Sequence, residues 1–271
     1  MTKKIYGLAL LAAAVLAAAA GCDKEPESPD AYIAVYLEDA PADFKTFVVN
    51  IESVELYTSS EWVAMPLKQS SVSLLELTGG VSLRLAEGYF APGDYTRLRI
   101  TFAEEGNTLT ETTETADLQY ALVAGGSDRV REFTLELYAG GGSKSFLMLD
   151  MDAAASAVYD AAAEGYRLVP ALDLMDLNYC GAISGAIATS DGTGIGERML
   201  VEMTSAGGVK KNSFTNPGTG RFFVRLEPGT YTMRIVPADN SAYLEYSREG
   251  LVVGEGTPVL LGPVKPEPKP R

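Results

Sequence analysis

The sequence predicts an all-β fold: two β-sandwich-type domains behind an N-terminal leader, the first domain with one short helix near its C-terminal end. Three observations carry that expectation. Apolar and polar residues alternate at a period of two in run after run, which is the pattern of strands with one buried face. Pro-Gly and Gly-Gly pairs punctuate the runs. A single alanine-rich stretch, after Asp152, reads as helix, with Asp152 as N-cap and Gly165 as the stop beyond Glu164.

The leader spans residues 1–21. Lys3 and Lys4 precede an apolar stretch from Ile5 to Ala20, and Ala19-Ala20-Gly21 leads into Cys22. This is the three-zone layout of a secretory signal peptide. The apolar stretch is shorter than the ~20 residues a spanning helix needs. A cysteine directly after the small residues resembles a bacterial lipoprotein signal, with Ala19 where Leu is commonest. The resemblance implies diacylglyceryl transfer to the Cys22 sulfur, cleavage after Gly21 and acylation of the new amino terminus. Each buried lipid CH₂ contributes ~0.8 kcal/mol, so several acyl chains such as palmitate hold a protein on the bilayer.

Residues 22–30 follow as a spacer. Asp23, Glu25, Glu27 and Asp30 with Pro26 and Pro29 disfavour a packed core. Acids directly after the lipidated cysteine resemble the surface-export signal of Gram-negative gut anaerobes. The location expected is the outer membrane, lipid-anchored and facing the cell exterior, with the periplasmic face as the alternative.

The formal net charge is −14, and removal of the leader with its two lysines makes it −16. Such a balance excludes a nucleic-acid partner, which needs a basic face. Histidine is absent. That removes Ser-His-Asp and Cys-His catalysis and histidine-based zinc sites. No Gly-x-Ser-x-Gly elbow and no Ser-x-x-Lys pair occurs. With Cys22 acylated, only Cys180 remains, so no internal disulfide forms, and Cys180 reads as a small core residue.

Residues 31–180 form the first domain. "TFVVNIESVELY" buries Phe47, Val49 and Ile51, then slips to Val54 and Leu56, which predicts a bulge near Glu52-Ser53. "VSLLEL" reads as a strand, and "FAPGDYTRLRITF" as a Pro-Gly turn with Leu98, Ile100 and Phe102 inward. The acidic run at 104–117 reads as a solvated loop. Residues 181–264 form a smaller domain, in which "GRFFVRLEPGTYTMRIVP" gives two alternating strands about Pro228-Gly229. Residues 265–271 are a Pro-rich tail expected to be loose.

Four segments then combine in order: Asp39-Ala40-Pro41 closing a strand, Leu74-Leu75-Glu76-Leu77, Pro92-Gly93-Asp94-Tyr95 with Arg99, and Asp150-Met151-Asp152-Ala153. This order resembles the bacterial lipoprotein family called domain of unknown function 4382, with Glu38 where a Thr is usual. The resemblance implies a β-rich extracytoplasmic module and no known reaction. "ISGAIAT", "DGTGIG" and "GRFFVRLEPGTYTMRIVP" are similar to the carboxypeptidase regulatory-like, transthyretin-like β-sandwich. That resemblance implies a spacer or adhesin module. Some related modules carry a Lys–Asn isopeptide bond between their first and last strands; Lys210 and Lys211 come too late and no Asn follows Asn240, so none is expected here.

Two candidate sites remain. Asp150 and Asp152 share a strand face and, with Asp39, offer hard oxygens for a calcium site, although six or more oxygens are required. The simpler reading makes Asp152 a helix cap. Trp62, near Tyr57, could stack on a sugar, although strand aromatics are more often core. No cofactor and no catalytic residue is expected. The function expected is a non-enzymatic binding or adhesion module for a glycan or protein ligand. The alternative is a structural subunit of a surface or periplasmic assembly, and a carboxylate-dependent hydrolase ranks last.

Overall fold

The structure is a computed structural model that describes residues 29–40, 42–189, 192 and 194–270. The leader, Cys22 and most of the spacer lie outside the described residues. The described residues are mostly strand, in sandwich-like pairs of sheets, and the one α-helix among them is a single turn.

The strands begin with β1 (Ala31–Ala40), β2 (Thr46–Tyr57), β3 (Trp62–Met65), β4 (Ser71–Ser73), β5 (Leu83–Phe90) and β6 (Gly93–Phe102). They continue with β7 (Asn107–Thr112), β8 (Asp117–Leu122), β9 (Val130–Ala139) and β10 (Lys144–Asp152). After α1 (Ala153–Ser156) come β11 (Ala157–Asp160), β12 (Gly165–Leu168) and β13 (Leu172–Asp176). One sheet has the order β13-β10-β1-β5 and the other β8-β7-β2-β6-β9, with β3 and β4 also paired to β2. β1 runs parallel to β10 and antiparallel to β5. Ile33, Val35 and Leu37 of β1 face Phe47, Leu98, Phe102 and their neighbours across one hydrophobic core.

The predicted bulge is present: β2 shifts register against β6 between Ile51 and Ser53, so both apolar sets reach the same core. Four expectations are corrected. The alanine-rich helix stops at Ser156, because four residues of favourable propensity cannot outweigh a tertiary hairpin. Asp152 caps it by accepting from Ala155 N at 2.9 Å. The chain then turns back as β11 and β12, its turn capped by Asp160, with Glu164 left-handed at φ 49°. Tyr166 packs on Tyr159 within the hairpin and anchors it to Tyr120 of β8.

Half of the acidic run at 104–117 is strand. Threonines favour β7, and Leu109 and Asn107 point inward, Asn107 accepting from Asn50 N at 2.7 Å. "VSLLEL" is strand only to Ser73. Residues 74–77 form a 3₁₀ turn that buries Leu74 and Leu77, whose spacing of three puts them on one side of it. The terminal tail is held down: Leu244 N donates to Glu267 O and Lys269 N to Ala242 O, each at 2.7 Å.

The second sandwich contains β14 (Gly181–Ala186), β15 (Leu200–Ser205), β16 (Lys210–Phe214), β17 (Arg221–Leu226), β18 (Gly229–Val236), β19 (Tyr246–Val253) and β20 (Pro258–Leu260). Its sheets are β17-β14-β20 and β16-β15-β18-β19, around Ile183, Met203, Phe222, Met233 and Ile235. Neither Pro-Gly turn makes a hairpin. Pro92-Gly93 carries the chain from β5 in one sheet to β6 in the other, and Pro228-Gly229 does the same from β17 to β18. Cys180 lies at the junction of the sandwiches with Met148 and Met175, 5% exposed, just before β14. Burial pushes its thiol up to about 11, so it is a protonated packing group.

Candidate functional site

The end of β1 and the residues after it meet the outer face of the β17-β14-β20 sheet. A cleft of about 970 Å³ opens there. Phe44, Leu75 and Thr78 line it from the first sandwich, and Ser184, Phe214, Phe223 and Leu260 from the second. Three cations reach it, Lys45, Arg198 and Arg221, and no carboxylate lines it among the described residues. The Arg198 guanidinium stacks over Phe214 at 4.2 Å and donates through Nη1 to Asp43 at 3.3 Å. Its Nη2 is buried without a hydrogen-bond partner. Lys45 pairs with Asp117.

Gly80 makes the close approach beside this cleft possible. Its φ is +88°, and a Cβ there would fall 2.8 Å from the Phe223 ring. Beneath lies a polar junction. Arg225 of β17 donates to both oxygens of Glu38, from Nε at 3.0 Å and Nη2 at 3.2 Å. Lys211 of β16 pairs with Asp150 at 2.8 Å and with Asp173. Burial raises the Glu38 pKa, and Arg225 pulls it back only in part. Burial also works against the Lys211 charge, yet Asp150 and Asp173 keep its pKa above the ordinary lysine value.

Asp39 differs from its neighbours. It is 5% exposed; one oxygen accepts from Ala153 N at 3.0 Å, and the other has no partner. Burial, with Asp150 and Asp152 adding repulsion, pushes its pKa up to about 9, so it is neutral at pH 7.

These contacts place the sequence candidates. Asp150 is engaged by Lys211, and Asp152 caps α1. Among the described residues no group of three acidic, cysteine or histidine ligands is arranged to hold a metal ion. Trp62 packs on Tyr57 with ring centroids 5.0 Å apart, and Arg99 and Arg97 cover it at 4.1 and 4.9 Å. Its ring therefore already carries cation–π partners. The sequence reading missed Arg198, Arg221 and Phe223, since nothing local joins residues so far apart. Glu38 stood out only as a minor departure from Thr before Asp-Ala-Pro, and its contact with Arg225 of the second sandwich went unforeseen.

The family described as Domain of unknown function (DUF4382) matches residues 30–170. The chain belongs to this family. The DUF4382 match covers β1 through β12, including the first sandwich's Pro-Gly corner and the Asp150–Ala153 segment. No curated protein resembles the chain closely enough to match.

Among solved structures, the DUF4382 chain is similar to the Bacillus anthracis TIE protein, at 11% identity and a TM-score of 0.27. That match covers 89% of this chain and 34% of the TIE chain, so the protein spans about a third of the TIE chain's length. It is also similar to two Porphyromonas gingivalis proteins. One is the tip fimbrial protein Mfa3, at 8% identity, 82% and 81% coverage and a TM-score of 0.21. The other is the fimbrial anchor protein Mfa2, at 10% identity, 75% and 77% coverage and a TM-score of 0.21.

Proposed function

We propose that the protein is a surface binding module, anchored to the outer membrane through acylated Cys22, that takes its ligand in the cleft between its sandwiches. The observation that carries this reading is the cleft itself. It is large, walled by Phe44, Phe214 and Phe223, and edged by Lys45, Arg198 and Arg221. Concave apolar walls with a few charged groups are the ordinary make-up of a ligand site. The division at residue 180, with a transthyretin-like second domain, belongs to the same proposal, and the separate hydrophobic cores support it. A non-enzymatic role is supported by the junction acids, since Glu38 and Asp150 are held by Arg225 and Lys211 rather than facing each other across open space.

The test is antibody labelling of intact cells before and after mild protease shaving, with a periplasmic marker and the Cys22→Ala variant as controls. Labelling lost on shaving, together with release of Cys22→Ala from the membrane fraction, is the expected result. Signal only after lysis would move the protein to the periplasmic face. Retention of Cys22→Ala in the membrane would remove the lipid anchor. A second reading, a structural subunit of a surface assembly, is favoured by one observation: β20 ends its sheet, and its Leu260 is 82% exposed.

A further inference from the structure

We propose that the cleft takes an acidic peptide segment with apolar side chains. This rests on the cleft being the ligand site, and it names the ligand's chemical class.

Charge comes first. The chain carries a net charge of −14, so its surface as a whole repels an anionic partner. The cleft reverses that sign with Lys45, Arg198 and Arg221 and no lining carboxylate among the described residues. Arg221 makes no ion pair among the described residues, so its guanidinium offers a free bidentate fork. Arg198 holds a buried donor, Nη2, without an acceptor. That atom is shielded, but the Arg198 side chain is 30% exposed, and its accessible part gives an incoming carboxylate a charged partner. The Phe214 ring already fixes the guanidinium plane, which lowers the ordering cost of that contact.

The remaining wall chooses between anions. A saccharide needs hydrogen bonds for its many hydroxyls. Most hydroxyl and amide groups of this cleft are engaged elsewhere, Ser184 Oγ and Asn216 Nδ2 excepted, and two groups are too few for a sugar's many hydroxyls. Thr215 Oγ1 accepts from Met199 N and donates to Glu197 O. Asn216 Oδ1 accepts from Gly218 N and from Thr219 N and Oγ1. Thr78 Oγ1 donates to Leu75 O. The rest of what the wall leaves open is apolar: Phe223, Leu260 and Pro263. Carboxylates for the guanidinium groups and alkyl or aromatic side chains for the wall describe an acidic peptide. At about 970 Å³ the cleft has room for several residues of it.

The experiment is fluorescence polarisation with the full chain purified in detergent. The probe is a labelled eight-residue peptide alternating glutamate and leucine. Its lysine–leucine counterpart is the charge control, and oligogalacturonate is the anionic saccharide. The expected result is binding of the glutamate peptide alone, weakened by salt. Arg221→Ala should weaken it roughly threefold to tenfold, as loss of one exposed-to-intermediate charge contact does. Arg97→Ala, far from the cleft on the Trp62 face, should leave it unchanged.

Equal binding of the lysine peptide, or an affinity indifferent to both Arg221→Ala and Arg198→Ala, would overturn the proposal. So would the absence of peptide binding. Oligogalacturonate binding that depends on Arg221 would overturn the peptide class while keeping the cleft as a ligand site. Surface labelling decides the location independently of every one of these outcomes.

Discussion

The two Pro-Gly corners show the same device built with different means. After Pro92-Gly93, Tyr95 is buried and donates to Ala91 O at 2.7 Å; after Pro228-Gly229, Tyr231 is buried and donates to Glu227 O at 2.9 Å. Each is a tyrosine corner that ties the turn to its own upstream backbone. In each, the neighbouring strand then carries one extra residue. β9 pairs Leu137 with Tyr95 but Thr134 with Arg97, and β19 pairs Leu251 with Tyr231 but Arg248 with Met233.

The difference lies in how that extra residue is accommodated. The second sandwich uses Gly250 at φ +71°, whereas the first makes its bulge at Leu135-Glu136 with no left-handed residue. The contrast extends through both cores. The first is filled with large side chains, Phe47, Phe102 and Leu98 among them. The second brings backbones together: a Cβ on Gly181 would lie 2.5 Å from Gly254 O, and one on Gly220 would lie 2.1 Å from Ile187 O. A small sandwich short of side-chain volume closes its core by backbone approach, and it depends on glycine where the larger one depends on phenylalanine.

The strongest way to break this contrast is Gly220→Ala. The new methyl meets a carbonyl and the residue sits at φ +67°, so a loss of about 3 kcal/mol or more is expected. Chemical denaturation followed by near-ultraviolet signal would check it, and a loss below about 1 kcal/mol would show that the backbone approach is not essential.

Asp39 probes the seam between the sandwiches. Its carboxyl stays protonated in the folded protein up to about pH 9. In the unfolded chain it ionises from about pH 4. Between those values the folded state holds a proton the unfolded state releases, so this group lowers stability as pH rises. Asp39→Asn should match the wild type near pH 4 and exceed it by roughly 1–3 kcal/mol at pH 8. Denaturant melts at both values test it, and an equal difference at both would remove the buried neutral acid.

A smaller effect sharpens the likeness of the corners. Tyr95→Phe and Tyr231→Phe should each cost about 1 kcal/mol through loss of a partly buried hydrogen bond. Thermal melts that find a cost at only one corner would break the equivalence. Smallest of all, Gly250→Ala should cost about 1 kcal/mol or less, since open space surrounds it and only the left-handed backbone resists. A cost well above that would mean the bulge also needs the missing side chain.

Much of this arrangement was legible in the sequence. The slip from Ile51 to Val54 announced its bulge, since a half-buried strand cannot change face without one. The Asp152 cap was also readable, because capping is local. The helix length was not, because the tyrosines that pin the hairpin to β8 lie far along the chain. Both Pro-Gly pairs read as turns, but nothing local distinguishes a hairpin from a crossing between sheets. The cleft was hidden for the same reason. Phe44 and Phe223 lie far apart in the sequence, and contacts between the sandwiches such as Glu38–Arg225, Asp150–Lys211 and Asp43–Arg198 bring them to one cleft.

β1 has one further consequence. Its first residues adjoin the Pro29–Gly142 contact, its last hold the second sandwich through Glu38, and between them nine successive residues pair in parallel with β10. With the proposed anchor at Cys22 and a ligand held beyond the strand's far end, tension would run along β1. The hydrogen bonds to β10 and β5 lie across that direction, so they would share the load in shear rather than open one at a time. The strand that joins tether to cleft is thereby also the part of the protein best arranged to resist being pulled apart.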